Sequence, residues 1–188
     1  LGTLEATLIN AGNPTIFMAA GALGLTGCEL PAAVNGDAAL LARAEAIRTA
    51  GAIAMGLVAD AAQAAARPHT PKLALVAPPA DYVCSDGKRI AARDIDLVAR
   101  IFSMGQLHHA MTGTGAVAIA VAAAIPGTLV HRLAATVAGT PLRFGHPSGL
   151  LAVGAEAECV DGSWVVRKAV MSRSARRIME GWVRIPPV

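Results

Sequence analysis

Residues 108–117, His-His-Ala-Met-Thr-Gly-Thr-Gly-Ala-Val, place two hydroxyls and two glycines directly before an alanine-rich run, Ala116 to Ala124. If that run is helical, its first backbone N–H groups lack intrahelical acceptors and carry partial positive charge. Gly113 and Gly115 let a ligand approach those amides, which suits the segment to hold a carboxylate or a phosphate. Thr112 and Thr114 add hydroxyls, and Thr112 also stands where a helix N-cap belongs. His108 and His109 supply donors, or proton carriers near neutral pH. Two other polar turns extend the set of candidate substrate-binding residues. Asn10-Ala-Gly-Asn-Pro14 contributes Asn13, and Arg143-Phe-Gly-His-Pro-Ser-Gly149 contributes His146 and Ser148.

Other chemistries lack their residues. His108 and His109 are adjacent, with no neighbouring carboxylate to complete a metal set, so no metal is expected. No dinucleotide or nucleoside-triphosphate motif occurs, so no cofactor is expected either. Cys28, Cys84 and Cys159 are odd in number and widely spaced, which suits free thiols in a reducing, cytoplasmic setting. A net charge of +3 without a basic run beside stacking aromatics gives no footing for nucleic acid. Hydrophobic residues make up 54% but aromatics only 3%, so the surplus is alanine and valine. The longest apolar run, Ala116 to Ile125, falls short of the ~20 residues needed to span a bilayer, and no membrane partner is expected. The chain opens without methionine or a signal peptide, as a trimmed or partial polypeptide would.

The elements that must position these residues follow from periodicity and punctuation. Leu4–Ile9 and Thr15–Met18 read as strands about the Asn10–Pro14 turn, and 19–34 as loop. A long helix is predicted after an Asp37 N-cap up to Arg67-Pro68, with Gly51 and Gly56 permitting close approach to a sheet. Lys72–Ala77 reads as a buried strand, Asp86-Gly87 as a hairpin turn between Tyr82–Cys84 and Arg89–Ala91, and Asp96–Phe102 as a strand. The alanine-rich helix, a short helix within 127–135, a turn at Gly139–Pro141 and the polar 143–149 turn come next. Leu150–Val160 and Trp164–Met171 then pair about Asp161-Gly162. One or two helices wrapped by antiparallel-looking strands, with no linker, make a single α+β domain over 1–188.

Several of these pieces, in this order, resemble one family. They are Asn10–Phe17, Leu23–Gly27, Pro71–Val76 with Asp81-Tyr82, Ser103–His109, Gly113–Ala116, Gly145–Gly149, and Arg173–Arg176 with Met179–Gly181. The family includes the methylaconitate cis-trans isomerases and the oxalomesaconate tautomerases, and the wider group is similar to diaminopimelate epimerase. The resemblance implies a curled antiparallel sheet around a central helix, and a protein of two such domains with substrate between them. This chain resembles the second domain only. The lysine and cysteine that carry proton transfer in the first have no counterpart here, so no catalytic residue is expected in this half. Asn13-Pro14 matches the turn that supplies a substrate-holding asparagine in the epimerases. Thr112 stands where they carry a catalytic cysteine, and Met104–His109 replaces their Glu-Arg pair. A threonine hydroxyl is far too weakly acidic to shuttle a carbon-bound proton as a thiolate does, so the two-cysteine mechanism does not transfer.

The implied reaction is a cofactor-free proton shift along an allylic system in an unsaturated di- or tricarboxylic acid. Fixed donors at residues 112–116 would steady charge gathering on a carboxylate. Arg173 and Arg176 would bind carboxylate or fasten the 172–188 tail to the companion half, and a homo-oligomer is a further expectation. The alternative is a non-catalytic acid-binding or accessory module partnering an aconitase-like dehydratase.

Overall fold

The computed structural model describes residues 2–135 and 140–186. Strands β1 (Thr7–Ala11) and β2 (Asn13–Ala19) form a hairpin whose reversal rests on Gly12 alone, at φ 72°. Asn10 pairs with Pro14 and Ala11 with Asn13, so most of the predicted turn belongs to the ladder and β1 starts later than Leu4. The stretch read as loop after β2 contains a helical turn at Ala20–Leu23 and a short helix α1 (Pro31–Asn35), with proline in its first turn, where its missing N–H is no loss.

Helix α2 (Ala38–Ala54) begins as predicted, with the Asp37 side chain accepting from the Leu40 amide at 2.9 Å. It stops well before Arg67. Gly56 turns left-handed at φ 67° and its amide bonds back to Ile53, a termination that a helix-spaced apolar pattern does not reveal. A separate α3 (Ala61–Ala65) starts at its own cap, Asp60. Then follow β3 (Lys72–Ala77), the hairpin β4 (Tyr82–Val83) and β5 (Arg89–Ile90), β6 (Leu97–Ser103) and β7 (Gln106–Leu107). Helices α4 (Gly113–Ala124) and α5 (Leu129–Leu133) precede β8 (Leu142–His146), β9 (Gly149–Val160) and β10 (Ser163–Met171). Residues 143–146, read from sequence as part of a turn, are strand, leaving only Pro147 and Ser148 to make the reversal. The turn predicted at Gly139–Pro141 lies partly outside the described residues.

The main sheet runs β1-β2-β3-β6-β8-β9-β10, with β7 hung on β6. It is mixed: β2 with β3 and β6 with β8 are parallel, and the other pairs are antiparallel. The α+β class expected from sequence holds, with these two parallel pairs added. The outer strands of this row, six places apart, would be separated by roughly 29 Å in a flat sheet at the usual ~4.8 Å spacing. Yet α4 packs against β1 and β2 at one edge and against β9 and β10 at the other. Only a sheet curled around the helix allows that.

Period-two alternation divides the strands between two cores. Phe17, Ala74, Val76, Leu97, Ala99, Ile101 and Phe144 face inward onto Ala116, Ala118, Ile119, Ala120 and Ala122 of α4. Ile16, Met18, Leu73, Leu75 and Phe102 face outward under α1 and α2. Alanines on both sides of the inner interface, Ala74 and Ala99 on the strands and Ala116, Ala118, Ala120 and Ala122 on α4, let the helix approach the sheet closely. On the outer side a β-carbon on Gly51 would stand 2.2 Å from Ile16 Cδ1, so α2 lies on β2 at a distance only glycine permits.

Gly51→Ala tests that packing. Overpacking costs about 1–3 kcal/mol, only partly offset by the ~1 kcal/mol helix preference of alanine. The urea midpoint is expected to fall; a midpoint that rises would show that α2 can lift off the sheet freely.

Candidate functional site

Curling the sheet around α4 leaves the N-terminus of that helix at one end of the half-barrel, where the polar turns also arrive. Thr112 is the cap: its Oγ1 accepts from the Gly115 amide at 3.1 Å, and its carbonyl accepts from Ala116. The helix therefore starts three residues earlier than Ala116, and two of the four candidate amides are already committed. Those of Gly113 and Thr114 have no partner among the described residues. A β-carbon on Gly115 would lie 2.6 Å from both Ile101 Cδ1 and Thr112 Oγ1, so any other residue there must displace one or both side chains, the cap among them. Over Gly113 lies Arg173, whose Nη2 would stand 3.4 Å from a β-carbon on that residue. A guanidinium facing the positive end of a helix is unfavourable unless an anion sits between them.

The β1–β2 turn reaches the same place. A β-carbon on Gly12 would meet the Thr114 carbonyl and Val117 at 3.3 Å, so the hairpin tip touches the first turn of α4. Next to it Asn13 has a buried Oδ1 without a hydrogen-bond partner. Turning that amide about its last side-chain bond would put its NH2 in the same spot, as a donor for a carboxylate.

His108 and His109 stack with ring centroids 4.5 Å apart. Their loop is tied to the β8–β9 turn by the Ser148 hydroxyl, which donates to the His109 carbonyl. Ser148 thus uses its proton to join two turns. Its own amide donates to His146 Nδ1 at 3.2 Å, while His108 Nδ1 accepts from the Ala110 amide at 3.0 Å. With Nδ1 accepting in both rings, each neutral imidazole carries its hydrogen on Nε2. Burial, with further pushes from His109 and Lys72, draws the His108 pKa down against the Ala110 contact. Burial, then the charges of Arg100 and His108, draws His146 down to about 4. Both rings are neutral donors at neutral pH.

Sequence reasoning missed the parts that hold these groups. Arg100 is only 1% exposed, donates to the Glu29 and Ala99 carbonyls at 2.6 and 2.9 Å, and lies 5.1 Å above the Tyr82 ring. The Tyr82 hydroxyl reaches the Gly149 and His146 carbonyls at 2.6 and 3.0 Å, so this pillar supports the β8–β9 turn from below. Lys72, a cation in an otherwise apolar strand, was also passed over. It is 7% exposed, and its Nζ meets Ser103 Oγ at 2.7 Å. The signal available was a charged residue at an inward position of a buried run, Lys-Leu-Ala-Leu-Val-Ala.

Asn13, His108, His109, Thr112–Gly115, His146 and Ser148 therefore come together from three turns, with Lys72, Ser103 and Arg173 beside them. None of the gathered residues is acidic. Fold and geometry define a half-barrel with a donor-lined, positively charged end.

Comparison with known proteins supports the fold. The chain belongs to the PrpF protein family, whose model matches residues 1–186. It is 58% identical to the 2-methyl-aconitate isomerase of Cupriavidus necator, over 99% of this chain and 47% of that protein. It is 38% identical to the 3-methylitaconate isomerase of Eubacterium barkeri, over 98% of this chain and 48% of the relative. The crystal structure of a methylitaconate-delta-isomerase superposes with a TM-score of 0.86 at 38% identity, covering 96% of this chain and 46% of the other. The chain thus spans about half the length of the relatives it matches.

The depressed His146 pKa carries a stability signature. Between about 4 and the ordinary 6.5, the unfolded chain binds a proton that the folded one refuses. The contribution is complete above pH 6.5 and drains away as pH falls toward 4. Thermal melts should show His146→Asn losing less Tm than the parent over that interval; parallel losses would contradict the assignment.

Proposed function

We propose that this chain is one half of a cofactor-independent isomerase that shifts a proton along an allylic system in an unsaturated di- or tricarboxylic acid such as 2-methylaconitate or 4-oxalomesaconate. The observation that carries the reading is the pair of amides at Gly113 and Thr114, without a partner among the described residues, with the Arg173 guanidinium beside Gly113. A substrate carboxylate bridges the two. Removing an allylic proton sends charge onto that carboxylate, where amides fixed beforehand stabilise it without reorganising. The Nε2–H groups of His108 and His146 and the Asn13 amide orient the rest of the acid. The relatives named as isomerases of such acids support the substrate class.

Proton removal and return belong to a companion half closing over this end, because no group here is a strong base aimed at it. The tail supports the same view. Residues 172–186 form no regular element, and Ile178, Met179, Trp182, Val183 and Ile185 are 85–100% exposed. Apolar side chains so fully in water call for a covering surface, and the companion half provides it. Three free thiols and no membrane-length apolar helix among the described residues are compatible with a cytoplasmic enzyme.

In deuterated water, the complete two-domain protein should exchange the allylic hydrogen of 2-methylaconitate as the isomer forms, followed by NMR. Gly113→Val, which fills the approach to the amides, should lower turnover on the order of 100-fold. Binding without exchange would assign a non-catalytic acid-binding or accessory module instead.

A further inference from the structure

Lys72 is a charge without a countercharge. An ammonium group buried to this degree is costly unless its donors find acceptors, and it has three to place. The described residues offer it Ser103 Oγ at 2.7 Å and no carboxylate: it takes part in no ion pair. Anchoring β3 to β6 does not explain it, because these strands are already paired from Leu73–Phe102 onward, and an apolar side chain would fill the space without the desolvation penalty.

Its position points to a ligand. Strand alternation turns Lys72 and Ser103 to the inner face, with Ala74 and Ile101, beneath the start of α4. In register beside Lys72 stands Thr15, which shares a face with Asn13 and donates to its carbonyl at 3.0 Å. The Lys72 charge acts on His108 across the loop. Asn13 Oδ1, on that same face, is buried without a hydrogen-bond partner.

Resting on the reading above, we infer that Lys72, oriented by Ser103, binds a second carboxylate of an acid whose first carboxylate lies on the Gly113 and Thr114 amides. The two anchors are of different kinds: oriented dipoles at one end, a desolvated point charge at the other. Together they select acids with at least two carboxylates and fix the allylic carbons between them. Burial, which lowers the Lys72 pKa while no anion is near, is the state such an ammonium occupies before its ligand arrives.

The test compares trans-aconitate, with three carboxylates, and crotonate, with one, by NMR titration of the complete protein. Lys72→Met should weaken trans-aconitate binding about 10- to 100-fold, the range of a hydrogen bond to a charged group, and change crotonate binding by less than about 2-fold. Lys72→Arg should restore most of the loss, and Ser103→Ala should reproduce part of it. Equal losses for both acids, or none for trans-aconitate, would overturn the inference. Crotonate binding doubles as the check that Lys72→Met has folded. If the discrimination appears but allylic exchange does not, the carboxylate anchor stands and the isomerase reading falls. If the parent binds neither acid, both fall.

Discussion

Everything at the open end of this half-barrel depends on two amides that their own helix cannot satisfy. An α-helix leaves its first N–H groups without partners, and Thr112 caps only part of the deficit, committing Gly115 and Ala116 and leaving Gly113 and Thr114. The sheet then surrounds α4 with Phe17, Ala99, Ile101 and Phe144. So enclosed, the helix cannot tilt to hide its end. Glycine at 113 keeps the approach clear, and Arg173 deepens the positive field. A site of this kind is assembled by folding and needs no rearrangement when an anion arrives.

Around those amides the fold supplies rigidity from unlike sources. The Arg100–Tyr82 pillar holds the β8–β9 turn, which positions His146; Ser148 ties that turn to the histidine loop. The buried guanidinium has a chemical consequence as well as a structural one, since its charge helps to keep His146 neutral. A neutral imidazole with its hydrogen on Nε2 donates without adding a full charge to a place that already holds Lys72 and Arg173.

Much of this was legible in the sequence because local rules and global fold agree. Asp37 as a cap, the 72–77 strand, the Asp86-Gly87 and Asp161-Gly162 hairpins and the glycine-rich entry to α4 each carry a signal within a few residues. The errors fall where a distant partner decides. Helical spacing through 38–65 hides the break at Gly56, whose left-handed backbone is invisible to an apolar pattern. Residues 143–146 look like a turn until β9 pairs with them. Parallel pairing of β2 with β3 joins segments separated by the whole of α1, α2 and α3, and no local periodicity encodes it. At the site, turn residues were recognisable by type, whereas Lys72, Ser103 and Arg100 acquire meaning only when the sheet curls and turns their side chains toward other elements.

Isotope-labelled protein titrated with trans-aconitate tests the account most directly, through the backbone amide shifts of residues 113–116. The Gly113 and Thr114 amide protons should move strongly downfield and saturate together, while those of Gly115 and Ala116, already bonded to Thr112, should move little. Uniform small shifts across α4, or saturation centred anywhere else while 113 and 114 stay still, would contradict it.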